Sequence, residues 1–201
     1  MTFPHRPDAI LGFGAAGTGA EPDSLGWLIV GVSVHNAANA PVTILDYGLA
    51  QLSAETFGAF VPEVCRRMCD LHDATDCSAY NVQLVLDPDG IGVTLYEQTP
   101  ESYPVDVLRN ERILNMDLQQ RAVAASGYVY AEQVERCSEA DKIITHKGKT
   151  RNHLLHQVAA FGVNTKPGDA GVLLVSFADA VLEIFSSNQM RRRVHHVGMR
   201  P

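Results

Sequence analysis

No stretch of this 201-residue chain is apolar for the roughly 18–20 residues that a bilayer-spanning helix requires. The longest candidate, Gly171 to Phe185, is interrupted by Asp179 and Glu183, so no membrane partner is expected. No apolar h-region follows His5 and Arg6, which sit between prolines, so no secretory leader is expected either. The four cysteines, Cys65, Cys69, Cys77 and Cys137, form no C-x-x-C pair. Cys65 and Cys69 share a helix face, but His72 is the only further ligand nearby, too few for zinc. Buried reduced thiols are the expectation, and with them a reducing, cytoplasmic compartment. A basic excess is missing as well: 16 Lys and Arg stand against 23 Asp and Glu, a net charge of −7. That excludes a generic nucleic-acid coat, which needs a basic face.

Known signatures are incomplete. Gly12-Phe13-Gly14-Ala15-Ala16-Gly17 fits G-x-G-x-x-G, but a dinucleotide fingerprint needs a helix opening inside the motif. Thr18, Gly19 and Glu21-Pro22-Asp23-Ser24 follow instead, which is loop composition. Ile44 to Ala50 resembles the start of a kinase activation segment, without the catalytic loop or Gly-rich loop such a segment needs. Asn36-Ala37-Ala38-Asn39 resembles a macrodomain ADP-ribose loop, without its Gly-rich run. There is no P-loop and no internal repeat.

What is there reads as one α/β domain. The composition, 46% hydrophobic and 19% charged, is that of a globular chain with a substantial core. Residues 1–26 read as an irregular N-terminal arm. Trp27 to Val34 is a buried strand, His35 to Pro41 a turn and Val42 to Leu49 a second strand, together a hairpin. Ser53 caps a helix running to about Leu71 across Pro62. Asn81 to Leu86 is a third strand, ending in the turn Asp87-Pro88-Asp89-Gly90. Gly92 to Gln98 is a short helix, Pro104 to Leu108 a fourth strand and Met116 to Ala125 a helix. Gly127 to Ala131, or Lys142 to Thr145, are short strands. In Asn152 to Phe161, residues Leu154, Leu155, Val158 and Phe161 share a helix face. Gly162 to Gly168 is loop, and Gly171 to Phe185 a buried helix. The domain spans 27–187, and 188–201 form a basic tail with Arg191, Arg192 and Arg193. This order predicts a mixed sheet opening on a β-hairpin, with helices on both faces.

Two features carry chemistry. Asp87 and Asp89 stand at the end of a buried strand, where open α/β sheets gather ligands, unless they serve only the turn. Asp179 lies in an apolar helix, and Ser176, Asp179 and Glu183 form a narrow polar stripe. Either that stripe faces water, or Asp179 meets Asp87 or Asp89 and the carboxylates hold Mg²⁺ or Mn²⁺ for phosphodiester hydrolysis. Lys147, Lys149 and Arg151 form a local basic patch. His146, His153 and His156 suggest either a metal or a solvated helix face.

The stretches Val85 to Leu95 and Phe177 to Leu182, in this order, resemble the ribonuclease H-like superfamily. Within it the order is most similar to the nuclease domain of the terminase large subunit of phages and herpesviruses, over residues 27–187. That resemblance implies a ribonuclease H-like fold and a viral protein of DNA packaging inside the host cell. It implies a metal-dependent endonuclease acting on DNA, with Asp87, Asp89 and Asp179 catalytic. Mg²⁺ or Mn²⁺ would be held by these three and Asp46, and Lys147, Lys149 and Arg151 would contact nucleic acid. One position departs: the family carries its first metal-binding Asp on its first strand, and Gly31-Val32-Ser33 has serine there. Two alternatives follow from the departure and the acidity. One is a catalytically inactive interaction or structural module of the same fold, binding protein or nucleic acid. The other is a small-molecule enzyme using the Asp87–Gly92 loop.

Overall fold

Runs of β-branched and aromatic residues with glycines between them build the sheet. The computed structural model describes residues 6–17, 23–33, 41–77, 82–87, 91–99, 105–109, 116–161 and 171–197, the last segment with side chains to Phe185. Strand β1 (Ala9–Ala16) pairs antiparallel with β2 (Ser24–Val32), and β2 pairs antiparallel with β3 (Val42–Gln51). The expected hairpin is present, with a bulge between Ile29 and Val30. Helix α1 (Ala54–Thr75) carries the chain back to β4 (Val82–Leu86), which lies parallel to β1. After α2 (Ile91–Glu97), strand β5 (Asp106–Arg109) extends the sheet parallel to β4. Helix α3 (Leu118–Tyr130) then crosses to β6 (Val134–Arg136), parallel to β3 at the other edge. The strand order is β5-β4-β1-β2-β3-β6. A 3-10 turn at Ser138–Asp141 leads into a two-stranded hairpin, β7 (Ile144–His146) and β8 (Lys149–Arg151). Helices α4 (His153–Ala160) and α5 (Val172–Val197) complete the described chain.

Within the expected arm of residues 1–26 the described part differs from the sequence reading: Ala9–Ala16 form β1, an inner strand held on both sides. Its glycines, suggestive of a loop, serve close packing. A Cβ on Gly12 would lie 2.5 Å from Met68 Sδ, and one on Gly14 would lie 3.0 Å from Leu86 and 3.1 Å from Phe60. Small residues on β1 therefore let α1 seat directly on the sheet. Gly127 to Ala131, expected as one of two short strands, lies at the end of α3, whose last helical residue is Tyr130. The helix α5 continues to Val197, into the stretch expected as a tail. The expected loop at 162–168, and residues 88–90 with Asp89, lie outside the described residues.

Two cores flank the sheet. On one face α1 presents Phe60, Val64, Met68 and Leu71 to Ile10, Leu25, Ile29 and Leu84. Ser53 caps α1 in a reciprocal box with Thr56, and Pro62 is tolerated within it. On the other face α5 lays Leu173, Phe177, Ala178 and Val181 against Phe13, Leu28 and Val30, with α3 and α4 packed around it. Residues 171–181 are all buried, as the apolar run predicts. The first amides of α5 are satisfied by a side chain from α4. Gln157 Oε1 accepts from Leu173 N at 2.9 Å and from Leu174 N at 3.2 Å. Unpaired, those amides would be costly at this depth.

Candidate functional site at the end of the fourth strand

Strand alternation decides which carboxylates meet. Val85 belongs to the core under α5 and Leu86 to the core under α1. Asp87, the next residue, is therefore expected on the α5 face again, and it is buried there at the end of β4. Its N–H donates to Gly14 O at 3.0 Å, which locks it to the end of β1. Gly92, at the start of α2, has no room for a Cβ because the Asp87 carbonyl oxygen fills that space, so α2 starts close against the end of β4. Asp179 comes from the opposite layer, on the buried stretch of α5, where desolvation of an ionised carboxylate is severe.

Asp179 and Asp87 sense one another. Burial pushes the Asp179 carboxyl up to about 7, the Arg121 guanidinium opposes that shift, and the negative charge of Asp87 adds to it. The opposing cation comes from α3. Arg121 Nη1 donates to Asp179 Oδ1 at 2.8 Å, with the two side chains only 12% and 5% exposed. The first turn of α3 is set by a capping box in which Asp117 accepts from Gln120 N at 2.8 Å. That places Arg121 one turn into the helix, facing α5. Its Nε is buried with no hydrogen-bond partner among the described residues. Ser176, one turn before Asp179, is buried and donates to Val172 O at 3.2 Å. The stripe thus faces the interior at Ser176 and Asp179 rather than water.

Asp46 belongs elsewhere. It pairs across from Ile29, whose side chain lies in the core under α1. Arg67 Nε from α1 donates to Asp46 Oδ2 at 2.6 Å, Lys142 Nζ reaches Oδ1, and Tyr47 N donates to Oδ1 at 2.8 Å. It is a neutralised structural carboxylate on the far face of the sheet from Asp179. Ser33 is likewise not beside Asp87. It follows β2, which is not a neighbour of β4, and its N–H donates to Pro41 O at 2.9 Å. The strands beside β4 are β5 and β1; in β5 the pairing of Leu86 with Arg109 ends the described register. The pairing of Gly14 with Leu86 brings Ala15 level with Asp87, and no residue from Ala9 to Ala16 is acidic.

The basic and histidine candidates gather on the β7–β8 hairpin. Lys147 and Gly148 form its turn with φ of 47° and 72°. Lys147 is ion-paired to Asp23, Lys149 is exposed and Arg151 is half-buried. His146 and His153 are buried and meet edge to face at 5.9 Å. His146 Nε2 bonds Ser24 Oγ at 2.9 Å, and His153 Nε2 donates to Lys149 O at 3.0 Å. These rings fasten the hairpin to β2 and α4. All four cysteines are free, and burial pushes the Cys65 thiol up to about 12. Among the described residues no helix is long and apolar enough to cross a membrane.

Hydrolysis by Mg²⁺ or Mn²⁺ needs several converging oxygen ligands free to take the ion. The described residues supply Asp87 and Asp179, the latter already paired with a fixed guanidinium. Among the described residues no three His, Cys, Asp or Glu form a metal-binding group. This donor set does not fit a catalytic divalent ion.

No known family's sequence model matches the chain, and no curated protein matches it. Among solved structures, it is similar to the human cytomegalovirus terminase nuclease domain, soaked with Mn. The TM-score is 0.54 at 12% identity, over 89% of this chain and 84% of that one. Thermus thermophilus RuvC is also found, with a TM-score of 0.37 at 11% identity, over 87% of this chain and 94% of that one. The six-stranded mixed sheet with helices on both faces is a ribonuclease H-like fold.

Proposed function

We propose that this chain is a non-cutting ribonuclease H-like module of the terminase nuclease type, acting by binding a protein partner. One observation carries the reading. Where Asp87 and Asp179 come together, the adjoining strand β1 contributes Gly14 and Ala15 and no carboxylate. A buried acid already paired with a guanidinium, Asp179 with Arg121, makes an interior ion pair rather than a cage for metal and water. The likeness to the cytomegalovirus terminase nuclease domain supports a place in a viral DNA-packaging assembly. A protein partner is favoured over nucleic acid by the net charge of −7 and by the pairing of Lys147 with Asp23. The small-molecule reading finds less support: the described apolar cavity, about 250 Å³ between α3, α4 and α5, is not at the Asp87–Gly92 loop.

The test is a plasmid assay in low salt with Mg²⁺ or Mn²⁺, beside a DNA-retention measurement. The expected outcome is intact plasmid and no retention at physiological ionic strength. Nicking that disappears in both Asp87→Asn and Asp179→Asn would overturn the proposal.

A further inference from the structure

The two helical layers that cover the sheet meet solvent differently. Helix α1, on one face, exposes Glu55, Glu63, Arg66, Asp70 and Asp73. Helices α3 and α4, on the other, carry no Asp, Glu, Lys or Arg at any exposed position. Of the seven large apolar residues exposed among the described ones, four lie on these two helices: Val123, Val129, Tyr130 and Leu155. Beside them opens the cavity of about 250 Å³, lined by Ala122 and Ser126 of α3 and Val158 of α4 and reaching Leu174 and Phe177 of the buried α5. We propose that this face joins two copies of the chain in a symmetric dimer, with Tyr130 of each copy seated in the cavity of the other. The inference goes beyond the non-cutting reading and does not rest on it.

Charge restricts where two copies can touch. Each carries a net −7, and like charges brought together at a contact oppose association. The α3–α4 face is the place where that cost is absent. Depletion of charge and enrichment in tyrosine are also what the core of an interface shows. Size selects the occupant. Small-molecule sites start at roughly 300 Å³ and hold several converging polar groups. This cavity is smaller, and the Ser126 hydroxyl on its wall donates to Val123 O at 2.7 Å within its own helix. It suits one large side chain. Tyr130 supplies that side chain: it is the last residue of α3, stands on the rim of the cavity and is 93% exposed, so its own fold takes up almost none of the ring. A knob and a hole on one face are what a two-fold contact needs, because each copy offers the other both. An unrelated partner would need only the hole. The platform is also fixed in advance. Helix α3 is held to α5 by the Arg121–Asp179 ion pair at 2.8 Å and by the stacking of Tyr128 on Phe185 at 4.0 Å, which leaves little to be ordered on association.

Sedimentation equilibrium of the full chain over a range of micromolar concentrations tests this. Wild type is expected to sediment as a dimer. Tyr130→Ala is expected to weaken association by about tenfold or more, with the fold intact because the ring is exposed. Ser126→Phe is the second variant: it fills the cavity from within its own chain while adding apolar surface. Seating of Tyr130 predicts weaker association for it, whereas a merely adhesive face would associate more tightly. Glu63→Gln, on α1, is expected to leave the equilibrium unchanged. Far-ultraviolet thermal scans check that each variant is folded, and the melting temperature is expected to rise with protein concentration in wild type but not in Tyr130→Ala. A wild type that stays monomeric at the highest concentration reached would overturn the inference and leave the face to a different protein. So would a dimer that either Tyr130→Ala or Ser126→Phe fails to weaken. Plasmid nicking by wild type would sink the non-cutting reading and leave this one standing.

Discussion

Asp179 shows how a single residue is governed by its surroundings. On an exposed helix it would titrate near 3.8; under α3 and β1 its carboxyl is pushed up to about 7, mainly by burial. The sign of the linkage follows. A carboxyl whose folded value is raised binds its proton more tightly in the folded state than in the unfolded one. That contribution to stability is complete below pH 3.8 and is lost as pH rises to about 7. Across this window it is expected to change by roughly 4 kcal/mol at most. Urea unfolding at about pH 4 and about pH 8 should show the loss, and Asp179→Asn should flatten it. A variant retaining the full slope would exclude Asp179 as its source. Asp46 offers the contrast: equally buried, it lies against Arg67, Lys142 and the Tyr47 amide. Nothing in the local sequence separates these two aspartates. Each sits in an apolar run, and only the layer facing it differs.

Among the elements, the β2–β3 hairpin shows what the sheet requires of its glycines. Trp27 stands directly across from Gly48, and the indole occupies the space where a Gly48 side chain would go. The pair works as one unit, the ring covering the glycine backbone. Gly48→Val is expected to displace the indole and cost about 1–3 kcal/mol, as overpacking does elsewhere. The checks are a lower urea midpoint and a shifted Trp27 fluorescence spectrum, Trp27 being the one tryptophan. An unchanged midpoint would mean the strands part without strain. The same logic explains β1. Its G-x-G-x-x-G spacing carries the signal of a phosphate loop, yet its glycines are vacancies that Met68, Leu86 and Phe60 fill. A sequence reader sees the missing side chains and not the neighbours that require them to be missing.

For the whole molecule, the position of β1 matters most. It lies between β4 and β2 near the middle of the sheet and gives residues to both cores, Phe13 and Ala15 to one and Ile10 and Ala16 to the other. A chain beginning at Asp23 loses that strand and exposes the edges of β2 and β4. Such a truncation is expected to be unfolded or aggregated. The checks are a flat far-ultraviolet thermal scan and a collapsed amide spectrum, against a cooperative transition for the full chain. A cooperative transition in the truncation would show that β1 is dispensable.

The hairpin Trp27–Leu49, the Ser53 cap, the strand ending at Asp87 and the buried helix with Asp179 were determined by the sequence itself. Each rests on local signals: β-branched runs, a capping hydroxyl, a proline-glycine turn and an unbroken apolar stretch. The ribonuclease H-like order followed from their succession. The tertiary structure decided the rest. It made an inner strand of the first segment, because its glycines fit only under α1. It moved the question of the missing acid from Ser33 to β1, because strand adjacency, not strand order, sets which side chains stand beside Asp87. It also brought Arg121, 58 positions away in sequence, against Asp179. That pairing has no local signature, because it arises from the packing of α3 on α5 and from the need of a buried charge for a partner.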